Sequence, residues 1–117
     1  MSIKGRPHAW FVASLKSGDL ATALAEAHEL PALSLADALA LVLLMADRHH
    51  PAFRLAAARW SARLVLEHRL DLEQARFAIE ALTALPHHPA QAKRRLADIC
   101  AHHELRNVIG LPDPAPR

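Results

Sequence analysis

Apolar positions along this chain recur every three or four residues, the spacing that gathers them on one face of an α-helix. No stretch alternates with period two for long enough to form a strand. The pattern predicts six helices with clear punctuation. The first spans about 7–16, opened by Pro7, whose missing N–H is no loss in a first turn, and stopped by Gly18. Asp19 caps the second, with Leu20, Leu24 and Ala27 on one face and Thr22, Glu26 and Glu29 on another; Pro31 ends it. Ser34 caps the third, about 35–47, and Asp37 completes an acidic start. That third helix is apolar on every side, so it is expected to be covered on more than one side.

Pro51 opens the fourth helix, which runs to about 68. Phe53, Ala57, Trp60 and Leu64 share its inner face, while Arg59, Arg63 and Glu67 form a polar strip. Asp71 caps the fifth, with Leu72, Ala75, Ile79 and Leu82 expected inward and Glu73, Arg76 and Glu80 outward. Pro89 opens the sixth, where Leu96, Ile99 and Cys100 point inward and Gln91, Arg95, Asp98 and His102 outward. The proline-rich end from Gly110 cannot be helical.

The segments repeat. LSLADALALVLLMA from Leu33 aligns with LDLEQARFAIEALTA from Leu70 at an offset of 37, pairing Ser34 with Asp71, Leu35 with Leu72, Ala38 with Ala75, Val42 with Ile79 and Met45 with Leu82. The tetrapeptide HHPA recurs at His49 and His87, an offset of 38. The unit reads as cap, helix, HHP turn, helix, preceded by a shorter first hairpin, and its period is that of helical-hairpin repeats. With this period, the stretch SGDLATALAEAHEL resembles hairpins of the tetratricopeptide and HEAT style over about residues 7–106. The resemblance implies architecture alone. The Trp–Leu–Gly–Tyr pattern of the tetratricopeptide family is absent, and no functional residue carries over. The expected fold is a single all-α domain over 1–117, with three antiparallel hairpins in a short solenoid-like stack or a compact bundle. Its ordered core is expected over about 7–106, with 110–117 as a flexible tail.

Composition agrees with helix: 25 Ala and 20 Leu against 3 Gly and no Tyr. The formal charge of +2 is too small to mark a nucleic-acid binder by itself. Cys100 is the single cysteine and closes no internal disulfide. The longest apolar run, Ala38 to Ala46, is nine residues, about half a membrane span. With no apolar leader in the opening residues, the expectation is a cytoplasmic chain without a membrane segment.

The nine histidines fall almost entirely at or just past expected helix C-termini, His8 excepted, where a cationic or donor side chain meets the negative end of the helix dipole. Adjacent histidines on a helix diverge by about 100°, so an HH pair offers one metal ligand rather than two. No H-E-x-x-H, Cys pair or i, i+4 His pair is present, and no metal or cofactor is expected. Cys100 beside His102 and His103 is the one candidate nucleophile, but it lies on an inward face, and the three glycines are isolated, so no phosphate loop exists. No catalytic residue is therefore assigned. The expected function is a non-enzymatic helical module that binds another protein. The alternative is a nucleic-acid binder that uses an Arg-rich face, with Arg54, Arg59, Arg63, Arg94 and Arg95 as the candidate surface. The two differ in whether those arginines form one continuous patch.

Overall fold

The computed structural model describes residues 5–114. Six helices follow one another: α1 (Gly5–Ser17), α2 (Leu20–Glu29), α3 (Leu35–Asp47), α4 (Phe53–His68), α5 (Leu72–Ala84) and α6 (Pro89–His102), with no strand among the described residues. The all-α expectation holds. None of these helices is long and apolar enough to cross a membrane.

Local chemistry explains the boundaries. Gly18 adopts φ 77°, and a Cβ there would stand 2.9 Å from the Arg48 guanidinium, which donates to the Gly18 carbonyl at 2.8 Å. Only glycine suits both the conformation and the approach. The Asp19 carboxylate accepts from the Thr22 amide, and hydrogen bonds from Thr22, assisted weakly by Arg48, hold its pKa below the ordinary value. Ser34 Oγ accepts from the Asp37 amide, but Asp37 does not close a box; its carboxylate instead accepts from His8 Nε2 on α1 at 2.7 Å. The reciprocal capping box is at Asp71 and Gln74, whose side chains each accept the other's amide at 2.8 and 3.0 Å. Arg69, at φ 53°, ends α4 in the left-handed region.

Sequential helices pair as hairpins, α1 with α2, α3 with α4 and α5 with α6, joined through α2–α3 and α4–α5, while α1 also packs on α3. The core is one cluster centred on α3, where Leu35, Leu39, Ala40, Leu41, Val42, Leu43, Met45 and Ala46 are buried. Trp60 on α4 is 2% exposed, and its indole N–H donates to the Leu35 carbonyl at 2.8 Å. Phe53, Ala57 and Leu64 are buried with it, as the spacing predicts. Beyond α6, the Leu105 amide closes on the Cys100 carbonyl at 2.8 Å, and Leu105, Val108, Ile109 and Leu111 return to the core. Of the expected flexible tail, residues 115–117 lie outside the described residues. Leu111 is packed, and a Cβ on Gly110 would meet Leu43 at 3.4 Å.

Two expectations need correction. The buried face of α5 is Ala78, Ala81 and Leu82, followed by Leu85, while Leu72 is 83% and Ile79 49% exposed. The inward face lies about a quarter turn from the expected one, because α5 meets only α4 and α6 and approaches them through its alanines. The HHPA repeat is also not a repeated turn. Residues 48–52 link α3 to α4, leaving Pro51 outside α4, whereas residues 85–88 link α5 to α6, placing Pro89 inside α6. His49 adopts φ 52° and His87 does not share that conformation. The tetrapeptide slides by two residues against the helix that follows it.

Trp60→Ala is expected to destabilise the fold by about 3–5 kcal/mol, since it empties the site that fastens α4 to the start of α3. Urea unfolding followed by helical circular dichroism checks this, and an unchanged midpoint would contradict the burial of the indole.

Candidate interaction site

A groove with a volume of about 490 Å³ lies between α4 and α5. Its origin is local. On the side of α4 that faces α5 stand Ala57, Ala58 and Ser61, side chains too short to fill the space, and α5 answers with Ile79, Leu82 and Thr83. Phe53, Ala57 and Leu82 are buried and form the floor. Both groove hydroxyls are already engaged as donors: Ser61 Oγ donates to the Ala58 carbonyl at 2.9 Å, and Thr83 Oγ1 donates to the Ile79 carbonyl at 2.7 Å. The remaining side-chain polarity comes from Arg54 and His87, which stand with Phe53 and Pro86 at the end where α4 begins and α5 has ended. No acidic residue lines the groove.

Exposed apolar bulk lies on the same two helices. Among the described residues six large hydrophobic side chains are exposed: Trp10, Leu55, Leu66, Leu72, Phe77 and Ile79. Five of the six belong to α4 and α5, and Leu66 and Leu72 are 78% and 83% exposed. Sequence reasoning placed Leu72 and Ile79 inside and passed over Leu55 and Leu66. A signal for the latter pair was present, because Leu55, Ala62 and Leu66 are spaced i, i+7, i+11 on the side of α4 away from Trp60.

The candidate arginines are divided. Arg54, Arg59 and Arg63 share α4, and Arg94 and Arg95 share α6, helices that do not pack along their lengths and approach each other where His68 meets His103 beyond the end of α6. Arg54 is at the groove end and Arg59 is exposed. Arg63 Nε donates to Glu67 at 2.9 Å, a surface pair that contributes about 0.3–0.5 kcal/mol and neutralises part of the charge. Beside Arg94, Lys93 is engaged with Asp47 at 3.2 Å.

The histidines do two jobs. His28, His68 and His102 occupy last turns, as expected, with His103 as the α6 C-cap. His50 and His88 instead serve the following helix: His50 Nδ1 accepts from the Ala52 amide at 3.0 Å, and His88 is the α6 N-cap residue. Among the described residues no group of three His, Cys, Asp or Glu side chains is placed to hold a metal. His68, His103 and His102 do form a chain of edge-on rings, with centroids 5.3 and 5.0 Å apart. Burial, and then the like charges of His102 and His68, lower the His103 pKa from its ordinary 6.5. Cys100 is buried, and that burial pushes its pKa up to about 12, so it stays a thiol at neutral pH. No protein-family model, curated protein or solved structure matches this chain.

The lowered His103 pKa has a definite sign for stability. As pH falls below 6.5 the unfolded chain takes up this proton before the folded one does, so stability is full above that value and declines below it, until the folded imidazole also protonates. The urea midpoint is therefore expected to drop between about pH 7 and pH 5, and His103→Gln should flatten part of that slope. An identical slope in the variant would remove His103 as a contributor.

Proposed function

We propose that the chain is a non-enzymatic helical module that docks another protein on the face built by α4 and α5. The observation that carries this reading is the concentration of exposed apolar bulk there. Leu55, Leu66, Leu72, Phe77 and Ile79 are exposed on two adjoining helices, and Ile79 lines the open groove between them. Single exposed leucines are ordinary, whereas a clustered apolar surface rimmed by polar groups marks an interaction site. The chemistry of Cys100 supports the same reading: a buried, protonated thiol is a packing group rather than a nucleophile. The module needs no cofactor and works in the cytoplasm, where a lone thiol is kept reduced.

Nucleic-acid binding through Arg54, Arg59, Arg63, Arg94 and Arg95 is the lesser reading, since these arginines lie on two helices that do not pack together and Arg63 is partnered by Glu67. A phosphate-binding surface would show itself by steep salt dependence.

A photo-crosslinking residue at position 79 is expected to capture a defined protein in the native host, and one at Arg94 is not. Leu72→Asp and Ile79→Asp should abolish that capture while shifting stability by no more than about 0.5 kcal/mol, as surface changes do. Duplex binding tighter than about 1 μM at roughly 0.15 M salt, lost when Arg59, Arg63, Arg94 and Arg95 are changed to Glu, would favour the nucleic-acid reading instead.

A further inference from the structure

We infer that the α4–α5 groove receives an acidic amphipathic α-helix of the partner protein, with aliphatic side chains seated between the two walls and carboxylates at the Arg54–His87 end. The inference rests on the docking-face reading and names the chemistry of the occupant.

The groove selects a helix because of what it withholds. A peptide entering it leaves water, so its backbone N–H and C=O groups need partners. Ser61 and Thr83 have given their hydroxyl protons to carbonyls of their own helices. Both walls are helices, whose backbone groups are paired internally, and there is no sheet edge among the described residues to which a strand could be added. A segment that satisfies its own backbone is the occupant that fits, and that is a helix.

The walls also have the spacing a helix requires. On α4, Arg54, Ala58 and Ser61 follow one another at i, i+4 and i+7 along the groove; on α5, Ile79 and Thr83 stand at i and i+4. The α4 stripe runs for about 10 Å, two turns of a docked helix. The α4 wall is small and the α5 wall large, so a bulky aliphatic side chain finds room against Ala58 and contact with Ile79.

Charge then sets the sign of the partner. Arg54 has no ion-pair partner among the described residues, and no carboxylate lines the groove to neutralise it or His87. The groove thus carries Arg54 and His87 and no acidic side chain. Carboxylates on the incoming helix meet this surplus, and ammonium groups are repelled by it. A second copy of the chain would bring the same arginines to the contact and lose that complementarity.

The test uses the full chain and two synthetic helices of about 16 residues, each with Leu at i, i+4, i+7 and i+11. One carries Glu at its polar positions and the other Lys. The acidic helix is expected to bind about tenfold or more tighter than the basic one, with NMR shifts confined to the groove residues. Arg54→Glu should reverse that order. Ala58→Trp, which fills the groove from an exposed position, should weaken the acidic helix about tenfold without lowering the melting temperature. Equal binding of the two helices, no binding of the acidic one, or binding indifferent to both substitutions would overturn the inference. So would a dimer, seen by sedimentation and broken by Ala58→Trp, in a chain that ignores both helices. A partner captured at position 79 through a basic or extended segment would keep the docking-face reading and overturn this one.

Discussion

Helix α3 has no polar face, and everything around it is arranged to keep it from water. Eight of its residues are buried, and the chain brings a different element to each side of it. Each of those elements is then fixed by one polar contact to α3 or to its C-cap. His8 from α1 reaches Asp37, the carbonyl of Gly18 between α1 and α2 takes Arg48, Trp60 from α4 reaches the Leu35 carbonyl, and Lys93 from α6 reaches Asp47. Hydrophobic burial supplies most of the driving force but has no direction. The polar ties, at both ends of the helix, choose one arrangement among the many that would cover it.

That arrangement leaves α5 with two neighbours and, among the described residues, no polar tie to α3. It is held between α4 and α6 and does not pack on α3. Two neighbours cannot cover a helix that is apolar over much of its circumference. Ala78, Ala81 and Leu82 go inward, and Leu72, Phe77 and Ile79 remain outside. The candidate site thus follows from the hub: covering α3 draws in the other elements, and α5 keeps apolar surface that nothing in the described chain covers.

Features decided within three or four residues were readable in advance. The caps at Asp19, Ser34 and Asp71, the stop at Gly18 and the inner faces of α4 and α6 all follow from local hydrogen bonding or helical spacing. Features decided by tertiary position were not. On α5 two apolar faces compete, and periodicity favours the larger side chains, whereas close approach to α4 and α6 favours the alanines. The HHPA turns read alike, yet one linker is a residue longer and moves Pro51 out of the helix that Pro89 begins. Whether the two sets of arginines form one surface was open, because nothing in the order of residues says how far α4 and α6 pack together.

The groove itself is a choice against tighter packing. Ala57, Ala58 and Ser61 line the α5 side of α4, where longer aliphatic side chains could reach Ile79 and Thr83 and gain dispersion contacts. Instead Ser61 turns its hydroxyl back to Ala58, and Ile79 keeps half its surface in water. Unmade contacts of this kind cost stability, and natural chains retain such costs where function needs the surface. Along α4, Ala57, Ala58 and Ser61 line the groove, while Trp60 and Leu64 are buried in the core. The helix is therefore able to pack to native density and does so toward α3. The open space between α4 and α5 has Arg54 standing at its end.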